Sequence, residues 1–204
     1  MKTTRTLGVG PTLARSIVVL GLACCWLTLS GLALARPAGG TGTQDVALAA
    51  DVGETTGERM ARLVRYIEDK YPVSEAEATL IVGQAFQMAE RNNLDPELIL
   101  AVIAVESTFR PKVVSQSGAR GLMQIVPKWH PSKVKEIGGP QALFDPEKNI
   151  YAGSQILLGY LEDHQGNLRR ALLKYNGSLG NPTSRYADKV LTYRRQLRQV
   201  AGTA

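Results

Sequence analysis

The chain has 204 residues, with 24 basic against 18 acidic side chains and a net charge of +6, but only two histidines and two cysteines. Both cysteines, Cys24 and Cys25, sit in an N-terminal apolar run, so the rest of the chain has no disulfide and no thiolate metal site, and His130 with His164 does not make a zinc site. The basic residues form no stripe interleaved with aromatics, which argues against a nucleic-acid surface.

Residues 1–35 do not read as part of a fold. Lys2, Arg5 and Arg15 form a basic head, and no acidic residue occurs before Asp45. A mostly apolar run from Ile17 to Ala35 follows, ending in Ala33-Leu34-Ala35. This is the pattern of a secretory signal peptide cut after Ala35. The alternative is an uncleaved anchor, because residues 17–35 approach the roughly 20 residues that span a bilayer. Both readings put the remainder outside the cytoplasm, in the periplasm or cell envelope. Cleavage leaves 169 of the 204 residues and removes three positive charges, so the net charge falls from +6 to +3. That is an ordinary soluble surface, and enough chain for one domain.

Pro37 to Gly57 is rich in Gly, Thr and Ala without an amphipathic period, so residues 36–57 read as a flexible linker to a domain at 58–200. Met60, Leu63, Val64 and Ile67 then recur at helical spacing up to Tyr71-Pro72. Ser74 and Glu77 form a capping box for a second helix carrying Leu80, Ile81, Ala85, Phe86 and Met88, which stops near Asn92-Asn93. Asp95-Pro96 opens a third helix with an N-cap and a first-turn proline. A Ser- and Gly-rich loop leads to a short helical piece expected from Gly121 to Pro127. A longer helix is expected over Leu143–Leu161, with a start signal at Asp145-Pro146. Asn167 caps a stretch to Tyr175, and a basic helix runs from about Ser184 to Val200. No strong period-two run occurs. The class is all-α, with a short hairpin or irregular lobe at 111–120 at most.

The third helix carries the chemistry. Leu98 to Val105 is apolar on every face, which requires burial, and it runs directly into Glu106. A carboxylate there is partly desolvated and lies at the negative end of the helix dipole, and both effects favour its protonated form. A carboxyl group protonated near neutral pH suits glycosidic cleavage, where the leaving oxygen must receive a proton. The bland alternative is a solvated Glu106 paired with Arg110 four residues on. Downstream, Ser115 to Gln124 packs Ser115, Ser117, Gly118, Gly121 and Gln124 into ten residues. Small residues permit close approach, and hydroxyls and amides bond sugar hydroxyls and acetamido groups. On its own the same stretch reads equally as a turn.

Glu106-Ser107, then Ser115, Gly118-Ala119 and Gly121-Leu122-Met123-Gln124, resembles the signature of the soluble lytic transglycosylase family. These are lysozyme-like enzymes that cleave between N-acetylmuramic acid and N-acetylglucosamine. Asp145-Pro146, Asn149-Ile150, Gly153 and Leu157 resemble the family's helix behind the cleft, Tyr175-Asn176-Gly177 its third motif, and Tyr186 with Lys189-Val190 the segment after it. The likeness covers about residues 86–195. It implies one lysozyme-like helical domain with a substrate cleft, α+β at most, acting on peptidoglycan glycan strands without a metal or cofactor. By the same likeness Glu106 is the acid and then the base, and Ser115 contacts Glu106 or the adjacent sugar. Gln124, Met123, Ser117, Tyr175 and Asn176 line the subsites, with a core methionine the alternative at Met123. Ser107 caps or orients. Where the family commonly has Ala-Tyr-Asn-Ala-Gly, this chain has Lys174-Tyr175-Asn176-Gly177-Ser178. Trp129-His130-Pro131 falls outside the shared core and reads as a surface loop, although an aromatic and an imidazole there suit stacking on a sugar.

Because the motifs supply one carboxylate where most glycosidases use two, the resemblance implies substrate-assisted cleavage to a 1,6-anhydro product. Two rivals stand beside it. One is a hydrolytic lysozyme-type muramidase using Asp145, Glu147 or Asp163 as second acid. The other is a wall-binding assembly factor of an envelope or secretion machine.

Overall fold

The computed structural model describes residues 55–203. The signal or anchor segment at 1–35, and nearly all of the linker, lie outside the described residues. Seven α-helices follow in order: α1 (Thr56–Lys70), α2 (Glu75–Asn92), α3 (Pro96–Glu106), α4 (Pro131–Glu136), α5 (Pro146–Asp163), α6 (Leu168–Tyr175) and α7 (Tyr186–Ala201). None of them is long and apolar enough to cross a membrane.

Local chemistry sets most of the boundaries. Capping boxes start α1 (Thr55 with Glu58) and α2 (Ser74 with Glu77). Thr55, the first described residue, lies within the last residues read as linker. Asp95 and Asp145 cap α3 and α5, each followed by proline at the first helical position. Asn167 caps α6 through the Arg170 amide. The helix expected from Leu143 therefore begins at Pro146, after a tight 3-10 turn over Pro140–Phe144. The short α4 was not expected.

Helix α3 forms the centre of the domain. Leu98 through Ala104 are all buried, and α3 packs most extensively on α7 and also on α2. A helix without a polar face gains its stability from burial, at about 25 cal/mol per Å² of apolar surface. Two ion pairs hold its N-terminus. The Arg59 guanidinium of α1 grips both oxygens of the fully buried Glu97 at 2.7 Å, and Arg194 of α7 donates to Asp95 at 2.6 Å. Burial of Glu97 disfavours its charge and offsets part of its attraction to Arg59.

The C-terminus of α3 is cut short by backbone conformation. Ser107 returns its hydroxyl to the Ile103 carbonyl, and then Thr108 (φ 52°) and Phe109 (φ 61°) adopt the left-handed region in succession. A phenylalanine there is unusual. Its fully buried ring, 4.7 Å from that of Tyr71, holds it in place.

The segment from 111 to 126 is neither helix nor sheet. Val114 bridges Arg120, and Arg120 bridges Ile125, which gives the irregular lobe. The helical piece expected from Gly121 to Pro127 is a turn, because Gly121 (φ 76°) and Gln124 (φ 48°) both take left-handed conformations. A 3-10 turn follows at Pro127–Trp129. Asn149 of α5, fully buried, organises this lobe. Its amide nitrogen donates to the carbonyls of Arg120 (2.9 Å) and Leu143 (2.8 Å), and its oxygen accepts from the Met123 amide (2.8 Å). Gly121 is needed beside it, since a Cβ there would stand 2.1 Å from the Leu143 carbonyl oxygen. The bare backbone thus admits Asn149 rather than a ligand.

Candidate active site

Glu106 is the last residue of α3, so its position follows from the burial that fixes that helix. Its carboxyl is largely buried, and this desolvation pushes its pKa up to about 7, from an ordinary 4.5. A hydrogen bond from Tyr186, donated at 2.6 Å to Oε1, pulls the other way. The net result is a carboxyl group close to half-protonated at neutral pH, the range in which one group can both give and take a proton. The expected partner Arg110 is otherwise engaged: its Nε donates to the Ser107 carbonyl (3.2 Å) and the Thr108 hydroxyl (3.1 Å).

Two buried phenols attend the carboxyl. Tyr186 opens α7, and Tyr175 closes α6 with its hydroxyl donating to the Met123 carbonyl at 2.8 Å. Burial raises the pKa of both well above the ordinary range, and the charge of Glu106 adds to this. Both rings therefore remain neutral hydrogen-bond donors.

Tyr175 also forms part of the wall of a cavity of about 560 Å³. Gln124, Ser117, Asn176, Trp129, His130, Tyr160 and Lys174 also line it. Glu106 is not among the lining residues, but the phenol of Tyr175, which is, feels its charge. Three rings make a ladder along the wall. His130 meets Tyr160 edge-on with centroids 6.3 Å apart, and Tyr160 meets Tyr175 in the same way at 6.5 Å. Burial lowers the pKa of His130, which keeps its imidazole neutral. A hollow of aromatic rings, amides and hydroxyls is suited to the mixed apolar and polar faces of a sugar.

The expected site residues divide accordingly. Gln124, Ser117, Tyr175 and Asn176 reach the cavity wall. Gln124 does so from a left-handed backbone, its amide donating to the carbonyls of Gly121 (2.9 Å) and Val113 (3.1 Å). The Ser115 hydroxyl instead serves the lobe, 2.8 Å from that of Ser117 and accepting from the Ala119 amide at 3.0 Å. Of the two readings of Met123, cleft contact and core residue, the first is corrected and the second holds: its side chain is fully buried, with the sulfur packed where a Cβ on Gly153 would stand 2.4 Å away. What Met123 contributes near the site is its carbonyl, held by Tyr175.

The stretch 129–131 is likewise not a plain surface loop. Trp129 is exposed, but it and His130 line the cavity. Sequence reasoning also gave no role to Tyr160, Lys174 or Tyr186. Tyr186 lies 80 residues from Glu106, so only its place in the last motif pointed to it.

None of the three acids weighed for a hydrolytic route lines the cavity. Asp145 is occupied by the Glu147 and Lys148 amides at the start of α5, and Glu147 and Asp163 are exposed. Among the described residues no group of three His, Cys, Asp or Glu side chains could hold a metal ion.

Residues 84–190 match the family described as transglycosylase SLT domain, more than half of the chain. A transglycosylase of Enterobacteria phage PRD1 is 38% identical over 104 residues, covering 48% of this chain and 37% of its own. The membrane-bound lytic murein transglycosylase C of Yersinia pestis is 35% identical over 106 residues, covering 46% of this chain and 30% of its own. The chain thus spans about a third of the length of these relatives. Two solved structures share the fold, each with a TM-score of 0.55. One is an inactive Glu-to-Gln mutant of the lytic transglycosylase Slt from Pseudomonas aeruginosa (20% identity, 69% of this chain and 28% of that one). The other is the 70 kDa soluble lytic transglycosylase of Escherichia coli (23% identity, 74% and 32%).

Proposed function

The chain belongs to the transglycosylase SLT family, and from that premise we propose that it cleaves the bond between N-acetylmuramic acid and N-acetylglucosamine in peptidoglycan without consuming water. The observation that carries this reading is the state of Glu106: a buried carboxyl pushed up to about 7, accepting a hydrogen bond from Tyr186 and close enough to Tyr175 of the cavity wall for that phenol to feel its charge.

In the first step protonated Glu106 gives its proton to the glycosidic oxygen as the bond from C1 to that oxygen breaks. The muramoyl acetamido oxygen closes on C1 and takes up the developing positive charge, while the N-acetylglucosamine end leaves with a 4-hydroxyl. In the second step the Glu106 carboxylate removes the proton from the muramoyl 6-hydroxyl. That oxygen attacks C1, displaces the acetamido group and forms a 1,6-anhydro ring. Glu106 ends protonated, ready for another round. Attack within one sugar benefits from a high effective concentration of the nucleophile.

Tyr186 has a specific part in this cycle. With Oε1 held by the phenol, Oε2 is the oxygen free to exchange a proton with substrate. The hydrogen bond stabilises the carboxylate needed in the second step, while burial stabilises the acid needed in the first. The basic head and apolar run of residues 1–35 support export to the envelope, with residues 36–57 as a tether.

Digestion of isolated sacculi by the purified protein, followed by mass spectrometry, tests the reading. Anhydro-muramoyl ends are expected, and their complete loss in Glu106→Gln. Reducing muramic ends would instead assign a hydrolase, and unimpaired cleavage by Glu106→Gln would remove Glu106 from the mechanism.

A further inference from the structure

One side chain at the cavity is not accounted for by this chemistry. Lys174, in the last turn of α6, is the lone formally charged residue among those that line the hollow. Its ammonium lies 5.8 Å from the centroid of the Tyr160 ring, which is itself fixed by its edge contacts with His130 and Tyr175. Among the described residues no carboxylate lies within ion-pair distance of it. A solvated surface lysine is the ordinary reading of such a residue. Here the ammonium borders a concave site, next in sequence to Tyr175, where a fixed charge is focused by low-dielectric walls.

The other lining groups suit neutral sugar and acetamido surfaces, so the cation selects for something those surfaces lack. In a glycan strand of alternating N-acetylglucosamine and N-acetylmuramic acid, the anionic group is a carboxylate, either the lactyl carboxyl itself or one on a peptide attached to it. Resting on the transglycosylase reading of the same cavity, we propose that Lys174 makes this site selective for strands that carry a carboxylate at the bound muramoyl unit. The ammonium binds that carboxylate, and its contact with Tyr160 holds it at the wall beforehand.

Binding to full-length Glu106→Gln protein tests this without turnover, using three ligands: a neutral N-acetylglucosamine tetramer, a peptide-free tetramer alternating with N-acetylmuramic acid, and the same strand bearing peptides. The expected result is at least fivefold tighter binding of the anionic strands than of the neutral one. This preference should fall to within about twofold in the added Lys174→Met change and persist in Lys174→Arg. A preference for the peptide-free strand identifies the lactyl carboxyl as the group recognised; one confined to the peptide-bearing strand identifies a peptide carboxylate. Equal binding of all three ligands, or an undiminished preference in Lys174→Met, overturns the proposal. Should Lys174→Met fail to fold, the salt dependence of the parent protein decides: a preference that does not shrink on raising salt from about 0.05 to about 0.5 M refutes a charge-based origin. No cleavage product enters this readout, so its failure is separate from failure of the proposed chemistry.

Discussion

The perturbed carboxyl of Glu106 has a consequence for stability that can be measured without substrate. The perturbation is Glu106→Gln, which keeps an oxygen for the Tyr186 hydroxyl and removes only the ionisation. In the wild type the group titrates at about 7 in the folded protein against 4.5 as its ordinary value. Folded protein therefore holds more protons than unfolded chain between these limits, and stability falls as pH rises through them. Each unit of difference corresponds to 1.36 kcal/mol, so ionised Glu106 costs about 3 kcal/mol above pH 7 and nothing below pH 4.5. The Gln variant does not titrate at this site and cancels all other groups. Denaturant unfolding at pH 4.5 and pH 8 is the assay. The variant should gain about 3 kcal/mol on the wild type between the two conditions, or roughly 6–12 °C in melting temperature for a domain of this size. A difference that stays constant with pH, or that moves in favour of the wild type at pH 8, would refute desolvation as the cause of the shift.

Two further outcomes follow from the same geometry. Tyr186→Phe removes the bond that favours the carboxylate, so the fall in cleavage rate on the alkaline side should move upward by roughly one pH unit, with about a tenfold lower maximum; an unmoved alkaline limb in a pH–rate profile would show that the phenol does not tune Glu106. Gly121→Ala adds a Cβ 2.1 Å from the Leu143 carbonyl oxygen at φ 76°, and should lower unfolding free energy by at least about 2 kcal/mol in denaturant melts.

Most of the helical framework was legible because its signals are local. The Thr55 and Ser74 boxes, the Asp-Pro starts at 95 and 145, and Asn167 each act within three residues of themselves. Where the backbone answers to distant partners the reading failed. Whether Gly121 to Pro127 coils into a helix depends on Asn149, which arrives from another helix and requires the left-handed Gly121. For Met123 the sequence left core and cleft open, and the choice of core rests on Gly153, thirty positions away, which leaves room for its sulfur. The apolar run before Glu106 pointed to its raised pKa, but only its spacing to Ser115, Gln124 and Tyr175 set it apart from a solvated acid at a helix end. The dominant cause, burial, was foreseen; the opposing bond from Tyr186 was not, since it joins residues 80 apart.

Helix α7 touches α3 at both ends, through Arg194 on Asp95 and Tyr186 on Glu106. Eleven residues of α3 and eight of α7 separate these contacts, spanning about 16 and 12 Å along the two axes. The half-buried ionic contact thereby serves as the reference mark from which the position of the phenol is measured. A slip of one helical turn, about 5.4 Å, would break both bonds together. Alignment of the Glu106 carboxyl thus depends in part on Arg194 and Asp95, at the other end of α3, and sequence changes far from the cavity can shift it while leaving every lining residue in place.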